Sequence, residues 1–322
     1  MNNLEQLSLL TIYAAMASYV VALLAFAIDA SSLRALRDDS GQVIKRARRA
    51  AASGAGSDQA GDTLVESPPE ASASPEIPRG KAIGIAMSTL WLGFFFHTIG
   101  VVARGIAAGH VPWSNMYEIT ITVSAVVVGL YLWLDRKYSM RFIGVLLVLP
   151  VLLALGAAVA IFYRAIEGLA PILDHYWLVI HVSMAIGAIA VLAIAAVLAA
   201  LQLIVSSGWA SENRLLAHLP DADFLERLSY RFTAVGFVLW TFTLVAGAIW
   251  ANEAWSRPWG WDAKEVWTFV IWVIYAAYLH ARATRGWDGR RAAILVLIGF
   301  MAVAANMTVV NYLLDTKHGY AG

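Results

Sequence analysis

Residues 250–267 read WANEAWSRPWGWDAKEVW, and this Trp-rich segment lies between two apolar runs, 230–250 and 267–284. Each run approaches the roughly 20 apolar residues that a helix needs to cross a bilayer. The segment itself holds five tryptophans and five charged residues in 18 positions. An indole offers a broad, flat face and one hydrogen-bond donor. Such a density of indoles predicts contact with a membrane surface or with a flat, apolar ligand.

Composition extends the membrane interpretation to the whole chain. Of the 322 residues, 60% are hydrophobic and 14% are charged, whereas about a quarter are charged in typical soluble proteins. Six further apolar runs occupy residues 8–28, 82–108, 116–134, 142–163, 177–205 and 292–313. The predicted fold class is therefore all-α, a polytopic membrane helix bundle with about eight transmembrane helices.

Charge and cysteine content exclude several kinds of chemistry. A net charge of +1 gives no reason to expect nucleic acid as a partner. The absence of cysteine excludes disulfides, thiolate metal ligands and thiol nucleophiles within the chain. Any thioether chemistry must therefore use sulfur from another molecule.

Three regions follow from the pattern of apolar and polar sequence. Residues 1–29 lack a basic start and a cleavage site, which predicts an N-terminal transmembrane anchor. Residues 30–80 are basic at first and then rich in Ala, Ser, Gly and Pro, which predicts a cytoplasmic, disordered linker. Residues 81–322 carry the remaining spans and form the predicted main membrane domain.

Basic residues alternate between the connections and predict the orientation of the spans. One set of connections is rich in them: Arg136, Lys137, Arg141, Arg214, Arg227, Arg231, Arg282, Arg285, Arg290 and Arg291. The other set holds few: Arg104, Arg164, Arg257, Lys264 and Lys317. The bias places both termini and the Trp-rich segment outside the cytoplasm.

Two histidines lie within predicted spans, where an imidazole normally faces the bundle interior and a partner. His97 is twelve residues from Gly109, and His280 is thirteen residues from Trp267. At 1.5 Å per residue both would lie about 18–20 Å below the outer face. This equal depth predicts one shared metal site. Two unrelated packing histidines, or one interhelical hydrogen bond, explain the pattern equally well.

Two further histidines lie on the predicted outer side and frame a second, shallower site with the Trp-rich segment. His181 is near the start of the fifth span, and His318 is in the tail. The alternative for His318 is an unstructured terminal residue. His175 is a rival to His181, whereas His110 and His218 are interpreted as polar loop residues.

The ligand that suits two imidazoles in apolar surroundings is haem. Zinc usually takes four ligands, with cysteine or carboxylate beside the histidines. Haem needs two axial ligands, an apolar slot and cations for its propionates. Arg257 and Lys264 are candidate propionate partners, or they form structural ion pairs with Glu253, Asp262 and Glu265.

The Trp-rich segment resembles the WWD motif of haem-handling cytochrome c biogenesis proteins. Four other blocks are similar to the CcsA type (CcsB or ResC in some bacteria) in matching order. They are FHTIGVVARGIAAGHVPWSNMYE from Phe96, WLVIHVSM from Trp177, IYAAYLHARATRGW from Ile274, and VNYLLDTKHGY near the end. The similarity covers roughly residues 82–322. Ser256 and Gly319 depart from the family pattern, where glycine and serine are common.

The resemblance implies the haem-binding subunit of a system II cytochrome c synthase. In that family, histidines matching His97 and His280 hold haem b within the membrane, and those matching His181 and His318 hold it at the outer face. The implied platform comprises Trp250, Trp255, Trp259, Trp261 and Trp267. The resemblance implies catalytic roles for His181, His318 and Asp262, in a haem lyase that forms thioethers.

The resemblance also implies partners and a location. The chain would work with a ResB-type membrane protein, the CxxCH segment of an apocytochrome c, and a thioredoxin-like thiol reductant. The implied location is the cell membrane, or a thylakoid-type membrane in a plastid or cyanobacterium. Two alternatives stay open, a CcmC-type haem chaperone without ligation activity and a proton-coupled transporter. Eight spans rather than six weigh against the first, and the lack of an evident inverted repeat weighs against the second.

Overall fold

Helices account for most of the chain that can be described. A computed structural model describes residues 3–53, 81–168, 173–208 and 219–314, with side chains described except at 30–53, 285, 312 and 313. The α-helices are α1 (Asn3–Ser53), α2 (Lys81–Ala108), α3 (Met116–Tyr138), α4 (Gly144–Ala160), α5 (Tyr176–Ser206), α6 (Ala222–Trp255), α7 (Ala263–Arg285), α8 (Arg290–Met307) and α9 (Val309–Leu313). A single 3-10 turn precedes α4, and the described ranges contain no strand.

Eight of the described helical stretches are long and apolar enough to cross a membrane. They coincide with the eight runs in the sequence, and short α9 completes the last of them. The predicted all-α fold with eight spanning helices is confirmed. The side of the membrane on which each end lies stays a prediction.

Helix α5 forms the centre of the bundle. It is the most enclosed of the spans, and α6 packs along its length while α3 and α8 cover other faces. Helices α1 to α4 share one apolar core with the middle of α5. Helices α6 to α8 share a second core with α5. A bundle built around α5 places the ends of α5, α6, α7 and α8 beside one another.

Helix α1 packs along α2 within the same bundle. The Ser8 hydroxyl donates to the Gly100 carbonyl oxygen at 2.7 Å, and a β-carbon at Gly93 would lie 2.5 Å from the Tyr19 ring. Small residues allow this close approach of two helices. The first 29 residues, predicted as an anchor, therefore contribute to the core of the membrane domain.

The predicted linker differs from the structure in its first part. Helix α1 continues to Ser53, so the structure describes residues 30–53, the first part of the predicted linker, as helical. This part is rich in Ala and Arg and has no proline, and both residue types favour a helix. Residues 54–80 lie outside the described part of the chain.

The Trp-rich segment is mostly helical rather than a loop throughout. Helix α6 continues to Trp255, and α7 begins at Ala263, so only 256–262 is irregular. Ser256 ends α6 in the left-handed region at φ 55°, a conformation that favours glycine. The glycine common at this position in the resembling family suits that backbone.

Candidate functional site

A cavity of about 310 Å³ opens beneath the irregular part of the Trp-rich segment. Helices α5, α6, α7 and α8 line it, together with the connection between α2 and α3. Most of the lining is apolar, and the polar groups are few. This volume and composition match those of small-molecule sites, which are concave and largely hydrophobic with a few polar groups.

His181 on α5 is the histidine that lines this cavity. Its Nδ1 lies 2.9 Å from the backbone carbonyl oxygen of Thr243 on α6. Because a carbonyl only accepts, Nδ1 donates in this bond, and in the neutral imidazole the lone pair is then on Nε2. A backbone carbonyl that accepts from one ring nitrogen and so orients the other is typical of metal-ligating histidines.

Three of the predicted platform tryptophans line the same cavity. They are Trp250, Trp255 and Trp259. The Trp250 ring is nearly parallel to the His181 ring, with 6.4 Å between centroids and 15° between planes. Trp255 meets Trp250 edge to face at 4.9 Å. The cavity therefore combines one oriented imidazole with an aromatic lining.

The other two tryptophans of the predicted platform lie elsewhere. Trp261 is 79% exposed and contacts Trp259 edge to face, but it does not line the cavity. Trp267 packs against the core formed by α5 to α8. Neither contributes to the cavity wall as the structure stands.

Asp262 and Glu265 form a capping box at the start of α7. The Asp262 carboxylate accepts from the Lys264 backbone N–H at 3.0 Å. Glu265 Oε2 accepts from the N–H groups of Gly260 at 2.7 Å and Asp262 at 3.2 Å. The acidic residue of the motif therefore determines where α7 begins, which is a structural role.

The two cations of the segment differ in their surroundings. Lys264 lines the cavity, and its Nζ donates to the Asn306 carbonyl oxygen at 2.9 Å and to Asn311 Oδ1 at 2.7 Å. Arg257 lies against Gly260, where any β-carbon would collide with the guanidinium group. Lys264 thus joins α7 to the end of α8 and to α9, as well as facing the cavity.

His97 is fully buried between α1, α2 and α3. Its Nε2 donates to the Ile121 carbonyl oxygen at 2.9 Å, so its Nδ1 accepts from the Tyr19 hydroxyl at 3.1 Å. Both ring nitrogens therefore have protein partners. This is the packing role that the sequence left open as the alternative to a ligand.

His280 is exposed on α7, which packs against α6, α8 and α9. Because α7 begins at Ala263 rather than at Trp267, His280 lies seventeen residues from the start of its helix, about 25 Å. His97 lies eleven residues from the end of α2, about 16 Å. The two imidazoles therefore lie at different distances from their helix ends, and the described partners of His97 are Tyr19 and Ile121 rather than His280.

The two other histidines considered as ligands of the outer site are His175 and His318. His175 caps the start of α5, and its Nδ1 accepts from the Trp177 N–H at 3.3 Å. It does not line the cavity, so the geometry favours His181 over its rival. His318 lies outside the described residues. Within the described ranges no three His, Asp or Glu side chains converge as a metal site.

Comparison with known proteins gives this arrangement its context. The sequence profile described as cytochrome C assembly protein matches residues 113–318, which is most of the bundle. The chain belongs to the cytochrome c assembly protein family. The match begins at a tryptophan of the cavity wall and extends past α9, so this family member has its cavity within the shared region.

Relatives with the name cytochrome c biogenesis protein CcsA support the assignment. One from Prochlorococcus marinus subsp. pastoris is 34% identical over 261 residues, covering 73% of this chain and 82% of the relative. One from Synechococcus elongatus is 33% identical over 265 residues, covering 68% and 81%. The chain is a multi-pass membrane protein of cytochrome c biogenesis.

A solved structure shares the fold. The cytochrome c haem lyase CcmF matches with a TM-score of 0.64 at 13% sequence identity. The match covers 95% of this chain and 47% of that protein. The chain therefore corresponds to about half of a larger membrane protein with the same helix arrangement.

Residues beyond the predicted set also belong to the site. Trp113 and Ser114, between α2 and α3, line the cavity. Behind them is a buried ionic cluster, Glu5, Arg104 and Glu118. The resembling block from Phe96 contained four of these residues, but their side chains meet only through the packing of α1, α2 and α3. A charged pair within predicted spans was the signal available in the sequence.

Proposed function

We propose that this chain is the haem-binding subunit of a system II cytochrome c synthase and presents haem for attachment to a CxxCH segment. The observation that carries the proposal is His181, whose tautomer is fixed by the Thr243 carbonyl and whose ring faces an aromatic cavity. Haem iron takes a histidine nitrogen as an axial ligand. The family and the CcsA-named relatives agree with haem as the cargo.

The cavity residues suit haem as a substrate. His181 Nε2 has the lone pair that an iron ligand needs. Trp250, Trp255 and Trp259 supply flat faces for a macrocycle, and Lys264 lines the cavity as a cation for its propionates. Arg257, from the same Trp-rich segment, is the second candidate propionate partner. Haem supplies the iron and the two vinyl groups that become thioethers.

The chain's own contribution to attachment is orientation. The substrate thiol S–H bond breaks, a C–S bond forms at one vinyl carbon, and a hydrogen is added to the other. No electrons are gained or lost in this addition. Because the chain has no cysteine, both thiols come from the apocytochrome. Holding the two reactants in the correct orientation can lower the activation barrier by roughly 7–11 kcal/mol without any protein nucleophile.

We also propose further haem ligands, whose coordination rests on the family resemblance rather than on contacts in the structure. His318 would complete the axial pair at this site. An inner haem site at His97 would require its ring to leave the Tyr19 and Ile121 partners, and His280 would be reached from the exposed side of α7. The cofactor form is haem b, since covalent attachment follows binding.

Partners and location complete the proposal. A ResB-type membrane protein would form the other half of the synthase, and a thioredoxin-like protein would keep the apocytochrome thiols reduced. The cyanobacterial sources of the relatives favour a thylakoid-type or cell membrane. Fold and composition give no reason to include nucleic acid.

The proposal is tested by measuring covalent haem attachment in cells that lack their own cytochrome c maturation system. The full chain is expressed with its ResB-type partner and a CxxCH reporter, and haem-stained reporter is quantified. His181→Ala should abolish attachment, whereas His175→Ala, the capping control, should keep it. Haem bound to the chain without attachment would indicate a chaperone instead. A haem-free chain that moves protons would indicate a transporter.

A further inference from the structure

Trp113 contributes a wall to the cavity from outside the Trp-rich segment. It lines the cavity and packs against the cluster of Leu178, Val182, Ile186 and Trp250. It belongs to the connection between α2 and α3, which is a different part of the bundle from α6 and α7. The aromatic lining is therefore assembled from two separate parts of the chain.

The connection that carries Trp113 has no regular secondary structure. A backbone bond from the Trp113 N–H to the Val111 carbonyl oxygen at 2.9 Å and several side-chain bonds hold it in place. Glu118 Oε2 accepts from both the backbone N–H of Ser114 at 3.0 Å and its hydroxyl at 2.8 Å. In return, Asn115 Oδ1 accepts from the Glu118 N–H at 3.0 Å and caps α3. One carboxylate thus holds the residue next to Trp113 by two bonds.

Glu118 is itself held within a fully buried ionic cluster. Arg104 Nε donates to Glu118 Oε1 at 2.9 Å, and each side chain is 1% exposed. The Arg104 guanidinium also donates to the Arg164 carbonyl oxygen at 2.9 Å and lies 3.7 Å from Glu5 on α1. Because these charges are shielded from water, they are held more rigidly than a surface pair.

We propose that Trp113 is a haem-contacting residue and that Glu118, held by Arg104, is its positioning residue. This inference rests on the proposed function, because it names haem as the ligand of the cavity. It extends the site to α1 and α2, two helices that lie before the family match at 113–318. Trp113 forms part of the cavity wall, and the buried Glu118 carboxylate fixes its position through Ser114.

A double-mutant cycle on haem affinity tests the proposal. The detergent-solubilised full chain is titrated with haemin, and the Soret band is followed for wild type, Trp113→Ala, Glu118→Gln and the double variant. Each single variant should weaken binding about tenfold, the usual scale for a central aromatic contact. The double variant should also be about tenfold weaker, because Glu118 acts through Trp113. Full additivity, or no effect of Trp113→Ala, would overturn the proposal.

A second carboxylate provides the matched control. Glu226 pairs with Arg282 at the opposite end of the bundle and also accepts from the Gly289 N–H at 3.0 Å. Glu226→Gln therefore removes a comparable charge far from the cavity. It should leave haemin affinity unchanged while lowering thermal stability as Glu118→Gln does. A matching loss of affinity in both variants would mean a general effect on folding and would contradict positioning.

Two milder substitutions keep the test decisive if Glu118→Gln does not fold. Ser114→Ala removes one of the two bonds to Glu118 and should show the same coupling to Trp113→Ala. Ser114→Cys creates the single thiol of a cysteine-free chain, and bound haem should slow its labelling. Labelling that haem does not slow would contradict a haem contact at this wall. A wild type without a Soret band would refute the proposed function itself, which is a separate outcome.

Discussion

The Nδ1 atom of His181 lies 2.9 Å from the Thr243 carbonyl oxygen, so α6 orients an imidazole that belongs to α5. Gly247 is one helical turn after Thr243 and makes room for that ring. A β-carbon at Gly247 would lie 2.7 Å from His181 Cε1 and 2.8 Å from Nδ1. The bond therefore depends on a glycine, because a side chain there would push the ring away from the carbonyl.

Gly247→Ala should weaken haem binding by moving the His181 ring from its carbonyl partner. We expect haem affinity to fall by at least about tenfold, which is typical when a metal ligand loses the hydrogen-bond partner that orients it. The measurement is haemin titration of the purified chain. Gly187→Ala is the control, because a β-carbon there would meet only Leu239 at 3.9 Å. Equal affinities for the two variants would mean that the contact with Gly247 does not control the imidazole.

Asp262→Ala and Asp262→Asn should separate capping from charge. Loss of an N-cap costs about 1 kcal/mol, and asparagine caps as well as aspartate does. We therefore expect Asp262→Ala to lower both thermal stability and haem attachment, while Asp262→Asn retains both. Attachment that fails in Asp262→Asn at unchanged stability would show that the carboxylate charge acts in catalysis.

Lys264→Met should destabilise the haem-free protein, because Lys264 joins α7 to Asn306 and Asn311. Buried polar groups that lose a partner typically cost about 1–3 kcal/mol. Asn311→Leu should cost a similar amount, and Lys81→Met at an exposed position should cost nothing measurable. Thermal unfolding without haem is the measurement. Unchanged stability with a loss of haem affinity would instead indicate a propionate contact alone.

His97→Ala and His280→Ala should differ in the absence of haem. His97→Ala removes two buried hydrogen bonds and leaves the Tyr19 hydroxyl and the Ile121 carbonyl without this partner, so it should destabilise the bundle by several kcal/mol. His280→Ala, at an exposed position, should stay within about 0.5 kcal/mol. If both variants instead retain full stability and lose the same part of the Soret band, His97 is a haem ligand and not a packing residue.

Much of the fold could be predicted because long apolar runs have few alternatives in a bilayer. The ends of the helices were harder to predict from the sequence. Apolar character stops near Trp250 and resumes near Trp267, but α6 continues to Trp255 and Asp262 starts α7 early. Capping bonds rather than hydropathy determine those ends, so His280 lies farther from the start of its helix than the apolar run indicates.

The candidate site was predictable where its residues are close in sequence. Trp250, Trp255 and Trp259 lie within ten positions, and all three line the cavity. Trp113 lies in the connection between α2 and α3, far along the chain from the Trp-rich segment, and it meets Trp250 only through the packing of α5 and α6. The partners of His97 lie on α1 and α3. No local period encodes such contacts, because they arise when separate helices pack together.

The absorption spectrum of the purified full chain tests whether His181 binds haem in this cavity, with His181→Ala and His175→Ala measured beside wild type. We expect a Soret band in wild type and in His175→Ala. In His181→Ala we expect the band to be lost or shifted, and added imidazole should restore it. A Soret band that is identical in wild type and His181→Ala would contradict His181 as the haem ligand of this cavity.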